Sequence, residues 1–270
     1  KGNVTFDKNH RFIQWMDLYT KAGMGVMPWY GFSATGTRYL DKGILGVKLK
    51  QFSPEWERAY RSIIAWAKKN ERERGWSEII MYLSDELSNH GATGAEKGRR
   101  LVQLTKDIPG IRTVSSMNGR WEAVMLPGLD IAMPNHAFPI TDKTIKEVKD
   151  AGCELWYYNI GNSRAAWGLY LWHTGATGRY QWFHRYSLSE PWNAFDGQSS
   201  YNSTWVTPGK PLPTPRLVSI REGLDDLKYL QLLERVIGLA KRSGIPAAVK
   251  AAKAARTDLD ELHAKLPGDV

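Results

Sequence analysis

Two adjacent carboxylates follow an apolar run in the segment IIMYLSDELSNH, residues 79–90. The run over residues 79–83 has no polar face, which is typical of a strand covered on both sides in a parallel sheet. Asp85 and Glu86 would then lie at the carboxyl end of that strand, where α/β barrels and open parallel sheets hold their active sites. The alternative is that Asp85 caps a helix and Glu86 lies in its first turn. The segment alone leaves acid–base chemistry and helix capping both open.

A second Asp-Glu pair, Asp260 and Glu261, provides an internal comparison. It lies in AAKAARTDLDELHAKL, residues 251–266, where alanine and leucine recur at helical spacing and charged residues occupy the other positions. This pattern predicts a solvated helix surface around the second pair. The two pairs therefore differ in their surroundings, and we expect chemistry only at the first.

Strand and helix patterns alternate along most of the chain. The predicted strands cover residues 25–30, 78–83, 112–117, 130–134, 154–158 and 178–184. The predicted helices cover residues 11–22, 54–69, 95–106, 142–151 and 164–173, followed by two long ones at 216–243 and 246–264. Repeated β-α units predict a mainly parallel sheet, because each helix returns the chain to the sheet through a right-handed crossover.

This order of elements predicts an α/β fold, namely a TIM-type (β/α)8 barrel that is incomplete or distorted, with helices at its C-terminus. Six strands are two short of eight, and the stretches at residues 1–7 and 46–52 are candidates for the missing pair. An open parallel sheet is the second architecture compatible with the pattern. A length of 270 residues predicts a single domain over 1–270, with 214–270 as a closing helical segment.

The aromatic content is high, with 12 Trp, 12 Tyr and 7 Phe among 270 residues. Flat aromatic side chains stack on the apolar faces of sugar rings, so a Trp-rich cleft indicates a carbohydrate ligand. A large aromatic core is the other explanation, and composition does not separate the two.

The net charge and the absence of certain motifs limit which other partners and cofactors are compatible with the sequence. The formal net charge of +9 is compatible with nucleic acid, an acidic glycan or an anionic surface, but the basic clusters at 68–74 and 97–100 fall on predicted helices, which favours a solvated face. The sequence has no apolar run of about 18 residues, so no membrane span is predicted. Cys153 is the only cysteine, and no nucleotide-binding or zinc-protease motif occurs, so we predict neither a metal nor a cofactor.

Polar and aromatic side chains also stand at the ends of other predicted strands. Four of them are predicted to line one cleft beside Asp85 and Glu86, namely Tyr30, Asn135, Tyr158 and Trp182. Trp182 is either a stacking floor for a sugar or a core anchor, because the sequence does not determine which face of its strand it occupies.

The C-terminal half resembles the catalytic domain of glycoside hydrolase family 123 and its relatives in the domain of unknown function 4091. The resemblance rests on ELWYYN (154–159), SRAAWGLYLWHTGATGRYQWFHRY (163–186) and PLPTPRLVSIREGLDDLKYLQLLE (211–234). The last segment contains the family-like residues Arg216, Arg221, Gly223, Asp226 and Tyr229. Earlier, YLSDEL (82–87) matches the strand-end Asp-Glu pair of the family, with Leu87 where the family often has proline. The resemblance covers residues 8–240 and lacks the β-sandwich that usually precedes the family's barrel.

The resemblance implies a glycosidase for β-linked 2-acetamido sugars, N-acetylgalactosaminides in particular, that uses substrate-assisted retaining catalysis. The 2-acetamido oxygen of the substrate would be the nucleophile, so no enzyme carboxylate need reach the anomeric carbon. Glu86 would act as general acid and then as base, while Asp85 stays ionised and holds the acetamido N–H. A tyrosine of the cleft would hydrogen-bond the acetamido oxygen. The resemblance also favours a secreted or periplasmic location.

Two rival functions stay open at this point. A non-catalytic glycan-binding relative would keep the aromatic cleft and bind sugar without turnover. A nucleic-acid-binding protein would use the charge of +9. The sequence makes no prediction of oligomeric state.

Overall fold

The computed structural model describes residues 10–30, 40, 48–182, 203–205 and 209–266. The chain falls into two compact units, one of residues 1–139 and 147–154, the other of residues 140–146 and 155–270. The candidate residues divide between the units: Tyr30, Asp85, Glu86 and Asn135 belong to the first, and Tyr158 and Trp182 belong to the second. The single domain over 1–270 stays a prediction.

The first unit is built from alternating helices and strands. They are α1 (Arg11–Lys21), β1 (Val26–Trp29), α2 (Pro54–Arg74), β2 (Glu78–Ser84), α3 (Gly91–Thr105), β3 (Arg112–Met117) and β4 (Ile131–Pro134). Two short 3₁₀ helices, η1 (Leu87–His90) and η2 (Arg120–Met125), follow β2 and β3. The helix α4 (Asp142–Asp150) then leads to β5 (Glu154–Tyr158).

The strands β1 to β4 pair in sequence order, and every pair is parallel. The apolar residues 79–83 of β2 are all between 0% and 1% exposed, which confirms a strand covered on both faces. The register between β2 and β3 shifts between Tyr82 and Ser84, so β2 carries a bulge directly before Asp85. A bulge bends its strand and turns the following side chains in a new direction.

The helix α2 shows how the local sequence defines the ends of these elements. Ser53 accepts a hydrogen bond from the Trp56 N–H at 3.3 Å, and Pro54 occupies the first helical position, where a missing N–H costs nothing. Gly75 ends the helix in the left-handed conformation with φ 63°. The face that α2 buries contains Trp56, Tyr60, Ile63, Ile64 and Ala67. This spacing places an apolar stripe against the sheet, where α2 packs on β2.

The second unit contains β5, which pairs in parallel with β6 (Gly178–Tyr180), and a set of helices. The helices are α5 (Arg164–Trp167), α6 (Leu169–Thr174), α7 (Pro215–Arg242) and α8 (Pro246–Lys265). A short antiparallel pair, β7 (Thr204–Trp205) and β8 (Leu212–Pro213), precedes α7. The helices α7 and α8 pack together around Ile237, Ala252 and Leu259.

The mixed α/β class and the parallel strand pairing predicted from the sequence are confirmed. The closed (β/α)8 barrel stays a prediction, since the described part of the chain contains six strands that pair in parallel. The two C-terminal helices are present as predicted.

Three details of the prediction were wrong. Residues 48–52 are not a strand, because a turn over Lys50–Ser53 leads into α2 and Phe52 has a left-handed φ of 62°. The sixth strand ends at Tyr180. The helix over 164–173 is interrupted at Gly168, where a Cβ would lie 2.5 Å from the Gly223 carbonyl oxygen of α7. The candidate strand at 1–7 and residues 46, 47, 183 and 184 lie outside the described residues.

Candidate active site

Asp85 and Glu86 lie at the carboxyl end of β2, immediately after the bulge. Glu86 has φ 52° and ψ 45°, the left-handed conformation that side chains with a Cβ rarely adopt. Such a conformation costs about 1–3 kcal/mol and persists only where the surroundings impose it. Because strained residues concentrate at functional sites, the backbone at Glu86 supports a role beyond chain reversal.

The helix-capping interpretation of this pair is wrong. The helix that follows, η1, begins at Leu87, and no side chain caps it. The Leu87 N–H donates instead to Oε1 of Glu122 at 2.7 Å. The carboxylate of Asp85 accepts hydroxyl groups rather than backbone amides, so it does not cap this helix.

Three hydroxyl groups converge on Asp85. Oδ2 accepts from the Tyr30 hydroxyl at 3.0 Å, while Oδ1 accepts from Tyr82 at 3.2 Å and from Ser116 at 2.7 Å. These three hydrogen bonds fix the position of the Asp85 carboxylate. A carboxylate offers about four acceptor positions, so three donors leave room for one more. The remaining position lies on Oδ2, beside the 43% exposed Tyr30.

Ser116 of β3 links the two acids. Its Oγ donates to Asp85 Oδ1 and accepts the Glu86 N–H at 3.1 Å. Ser116 is completely buried, and the hydroxyl groups of the adjacent buried residues Ser84 and Ser115 are hydrogen-bonded to each other. The ends of β2 and β3 therefore define the position of both carboxylates together.

Asn135 orients Glu86 from the end of β4. Its Oδ1 accepts the Ala137 N–H at 2.8 Å in a local turn, so its amide NH₂ must face the other way. The Nδ2 donates to Glu86 Oε1 at 2.7 Å. Asn135 is only 3% exposed, so this contact is shielded from water. One oxygen of Glu86 is thereby occupied, and a proton on this carboxyl group is carried by Oε2.

Burial raises the pKa of Glu86, and the charge of the adjacent Asp85 raises this pKa further. Weaker opposing contributions come from Asn135, His136 and Asn89. The two acids thus occupy different environments: Asp85 accepts three hydroxyl donors, and Glu86 retains its proton to a higher pH than an ordinary glutamate. Carboxyl pairs whose environments differ in this sense divide acid and anion roles between them.

Glu122 of η2 is an acid that the sequence analysis missed. Its carboxylate is 0% exposed and accepts from the Leu87 N–H, the Ser88 hydroxyl and the Asn118 N–H at 2.7–2.8 Å. Burial raises the pKa of Glu122, while these hydrogen bonds oppose that effect. Glu122 thus ties the loop after β2 to the loop after β3 and positions the segment that carries Glu86. The pattern NGRWEAVM gave no indication of this burial.

Tyr158 and Trp182, the other predicted cleft residues, belong to the second unit. Tyr158 ends β5, is 5% exposed, and stacks on Tyr180 with ring centroids 6.1 Å apart. Trp182 is 50% exposed, and its backbone N–H donates to Asn159 Oδ1 at 2.8 Å. Tyr30 and Asn135 do contact the acids, whereas the participation of Tyr158 and Trp182 stays a prediction.

The comparison pair Asp260 and Glu261 lies on the exposed surface of α8, as predicted. Their side chains are 67% and 64% exposed and face Arg256 and Lys265 one helical turn away, at 3.8 and 3.9 Å. Such exposed ion pairs contribute little to the free energy of unfolding.

Neither a metal site nor a membrane helix is found among the described residues. In that part of the chain no three His, Cys, Asp or Glu side chains are grouped so that they could hold a metal ion. Likewise, none of its helices is long and apolar enough to cross a membrane.

No protein-family model matches this chain, and no curated protein sequence matches it either. The resemblance to glycoside hydrolase family 123 therefore stays a prediction that rests on the residues quoted above.

Proposed function

We propose that the protein is a retaining glycosidase for β-linked 2-acetamido sugars of the N-acetylgalactosaminide type, and that the substrate supplies the nucleophile. The observation that carries the proposal is the contrast between two adjacent carboxylates. Asp85 accepts three hydroxyl groups, and Glu86 is partly buried with a raised pKa. The resemblance to glycoside hydrolase family 123 supports the same assignment.

In the first half of the reaction, the acetamido oxygen attacks the anomeric carbon and the bond to the leaving oxygen breaks. Glu86 donates its proton to that oxygen, and its raised pKa keeps the proton available. The remaining acceptor position on Asp85 Oδ2 suits the acetamido N–H. The negative charge of Asp85 then stabilises the positive charge of the oxazolinium intermediate.

In the second half, Glu86 as a carboxylate takes a proton from water, which attacks the anomeric carbon from the face that the leaving group vacated. The acetamido group is restored, and the configuration at the anomeric carbon is retained. Asn135 keeps its hydrogen bond to Glu86 Oε1 throughout, so the other oxygen exchanges the proton in both halves.

Glu86→Gln and Asp85→Asn test these roles with aryl glycosides of different leaving groups. Glu86→Gln should slow hydrolysis by about 10²–10⁴-fold with a poor leaving group and by much less with an activated one, because less proton donation is then needed. Asp85→Asn should slow both substrates, since charge stabilisation at the acetamido group does not depend on the leaving group. The measurement is kcat/KM for each pair of substrates.

Asp260→Asn and Glu261→Gln are the matched controls, and both should be near neutral because exposed helix residues tolerate such changes. Equal losses at the two pairs would refute the assignment. Turnover of aryl sugars that lack the 2-acetamido group would exclude the substrate-assisted mechanism but leave the glycosidase assignment intact. Binding of sugar without any turnover would identify a lectin-like protein instead.

The nucleic-acid alternative is tested by the salt dependence of any DNA or RNA binding, which must be steep if phosphates are neutralised. The basic clusters give this alternative little support. Lys68 and Lys69 pair with Glu71 and Glu73 of their own helix, and Arg99 pairs with Glu96. These contacts neutralise part of the basic charge that a phosphate backbone would need.

A further inference from the structure

The 3₁₀ helix η2 presents two apolar side chains to solvent. Residues three apart share a face in a helix with three residues per turn. Glu122 and Met125 form the buried face at 0% exposed, while Trp121 and Val124 are 57% and 48% exposed. Because Glu122 hydrogen-bonds the loop after β2, η2 is fixed beside that loop with Trp121 on its solvent face. A flat indole on a fixed element is a ready stacking surface for a sugar ring.

An amide pair connects η2 with the acids. Asn118 Nδ2 donates to Asn89 Oδ1 at 2.7 Å, and the Asn89 backbone N–H donates to the Glu86 carbonyl oxygen at 3.2 Å. Asn118 Oδ1 is buried and has no hydrogen-bond partner among the described residues. A buried acceptor without a donor is costly, so such an atom calls for an explanation. A hydroxyl group of a bound ligand would satisfy it.

The two acids also define a direction along the sheet. Asp85 contacts Tyr30 at the end of β1, and Glu86 contacts Asn135 at the end of β4. In the proposed reaction, the ring with the acetamido group lies at Asp85 and the leaving oxygen lies at Glu86. The amide pair and η2 follow β2 and β3 and reach Glu86, so they lie on the side of the leaving group.

We propose that Trp121, together with the Asn89–Asn118 amide pair, forms a second sugar subsite that binds the unit on the leaving-group side of the scissile bond. Trp121 stacks on the apolar face of this second ring, and Asn118 Oδ1 accepts one of its hydroxyl groups. This inference rests on the proposed function and narrows its substrate. The natural substrate is then a glycan of at least two sugar units, in which the leaving group is itself a sugar.

The test compares two substrates with the same 2-acetamido ring. One is a disaccharide with this ring β-linked at its non-reducing end, and the other is the corresponding glycosyl fluoride, whose leaving group is too small to reach Trp121. Trp121→Ala should lower the ratio of kcat/KM for the disaccharide to kcat/KM for the fluoride by about 10-fold or more. Trp121→Phe should restore most of this ratio, because it keeps a flat ring.

Trp15→Ala is the matched control, since Trp15 is 66% exposed on α1 and lies on no loop at the carboxyl ends of the strands. It should leave both substrates unchanged. If Trp121→Ala leaves the ratio unchanged while wild type hydrolyses both substrates, the subsite is wrong and the proposed function stands. If wild-type protein hydrolyses neither substrate, the proposed function fails, and the subsite fails with it.

Discussion

At the scale of single residues, the pKa of Glu86 should respond in opposite directions to two substitutions. The charge of Asp85 raises this pKa and the hydrogen bond from Asn135 lowers it. In the proposed reaction Glu86 must be protonated to act as an acid, so kcat/KM should fall as the pH rises through its pKa. The alkaline limb of the profile should therefore move to lower pH in Asp85→Asn and to higher pH in Asn135→Ala.

The direct measurement is an NMR titration of the Glu86 carboxyl carbon in the wild type and both variants, with the pH profile of residual activity beside it. Shifts of the same sign in the two variants would contradict the described environment. Circular dichroism must first show that Asn135→Ala remains folded, because the same side chain also stabilises the turn at Ala137.

The acids themselves could be predicted from the sequence, but their partners could not. The local pattern, an apolar run followed by Asp85 and Glu86, is enough to indicate the end of a strand. Tyr82 and Ser116, by contrast, look like ordinary strand residues, and they contact Asp85 where a bulge shifts the register of β2 against β3. Nothing in the local pattern indicates such a bulge.

At the scale of elements, the link between η1 and η2 should matter as much as the acids do. Glu122→Gln keeps the shape of the side chain, but its NH₂ cannot accept a hydrogen bond. At least one of the donors from Leu87, Ser88 and Asn118 then loses its partner, which costs about 1–3 kcal/mol. The melting temperature should fall. The loop that places Glu86 is then loosened, so kcat should fall as well. The pKa of Glu86 should fall toward that of an ordinary glutamate, which moves the alkaline limb of the pH profile to lower pH.

Glu147→Gln provides the control for this prediction. Glu147 also binds η2, through Arg120 at 2.8 Å, but both side chains are partly exposed. This substitution should change stability by less than about 0.5 kcal/mol and leave the pH profile in place. A fall in melting temperature without any change in the pH profile of Glu122→Gln would mean that Glu122 is structural only.

Glu122 was missed because its burial depends on elements distant in sequence. The segment NGRWEAVM has the composition of a surface turn, in which an acid is normally solvated. The donors that make burial tolerable come from Leu87 and Ser88, more than 30 residues earlier. Only the pairing of β2 with β3 brings these groups together.

At the scale of the whole molecule, the contact of α5 with α7 should limit the stability of the second unit. A Cβ on Gly223 would collide with the Arg164 carbonyl oxygen and lie 2.8 Å from Trp167 Cβ. Gly223→Ala should therefore destabilise the protein by about 1–3 kcal/mol, as overpacking does. Gly209→Ala is the control, since a Cβ there meets nothing within 4 Å. Thermal unfolding followed by circular dichroism measures both, and equal midpoints would contradict the close approach.

The same contact explains two positions of the motif in residues 216–229, Gly223 and Asp226. Arg164 and Asp226 form a two-bond ion pair at 2.6 Å beside Gly223, so these residues join α5 to α7. Tyr229 is 73% exposed and takes no part in that contact. The alternation of strands and helices could be predicted because periodicity is local, whereas the closure of a barrel depends on pairings that no local pattern encodes.

If Glu86 has the proposed catalytic role, its left-handed backbone is a cost in stability that activity requires. Selection for a stable fold alone would place glycine or asparagine at this position, because both adopt a φ of 52° at lower cost than glutamate. Glu86→Gly and Glu86→Asn also leave the buried Asn135 Nδ2 without its acceptor, so the backbone effect is measured in an Asn135→Ala background, where this donor is absent. There, Glu86→Gly should melt at a higher temperature than the Asn135→Ala protein while hydrolysis is lost. A library built on Asn135→Ala and screened for thermostability alone should accumulate glycine or asparagine at position 86, and a screen for turnover should remove them.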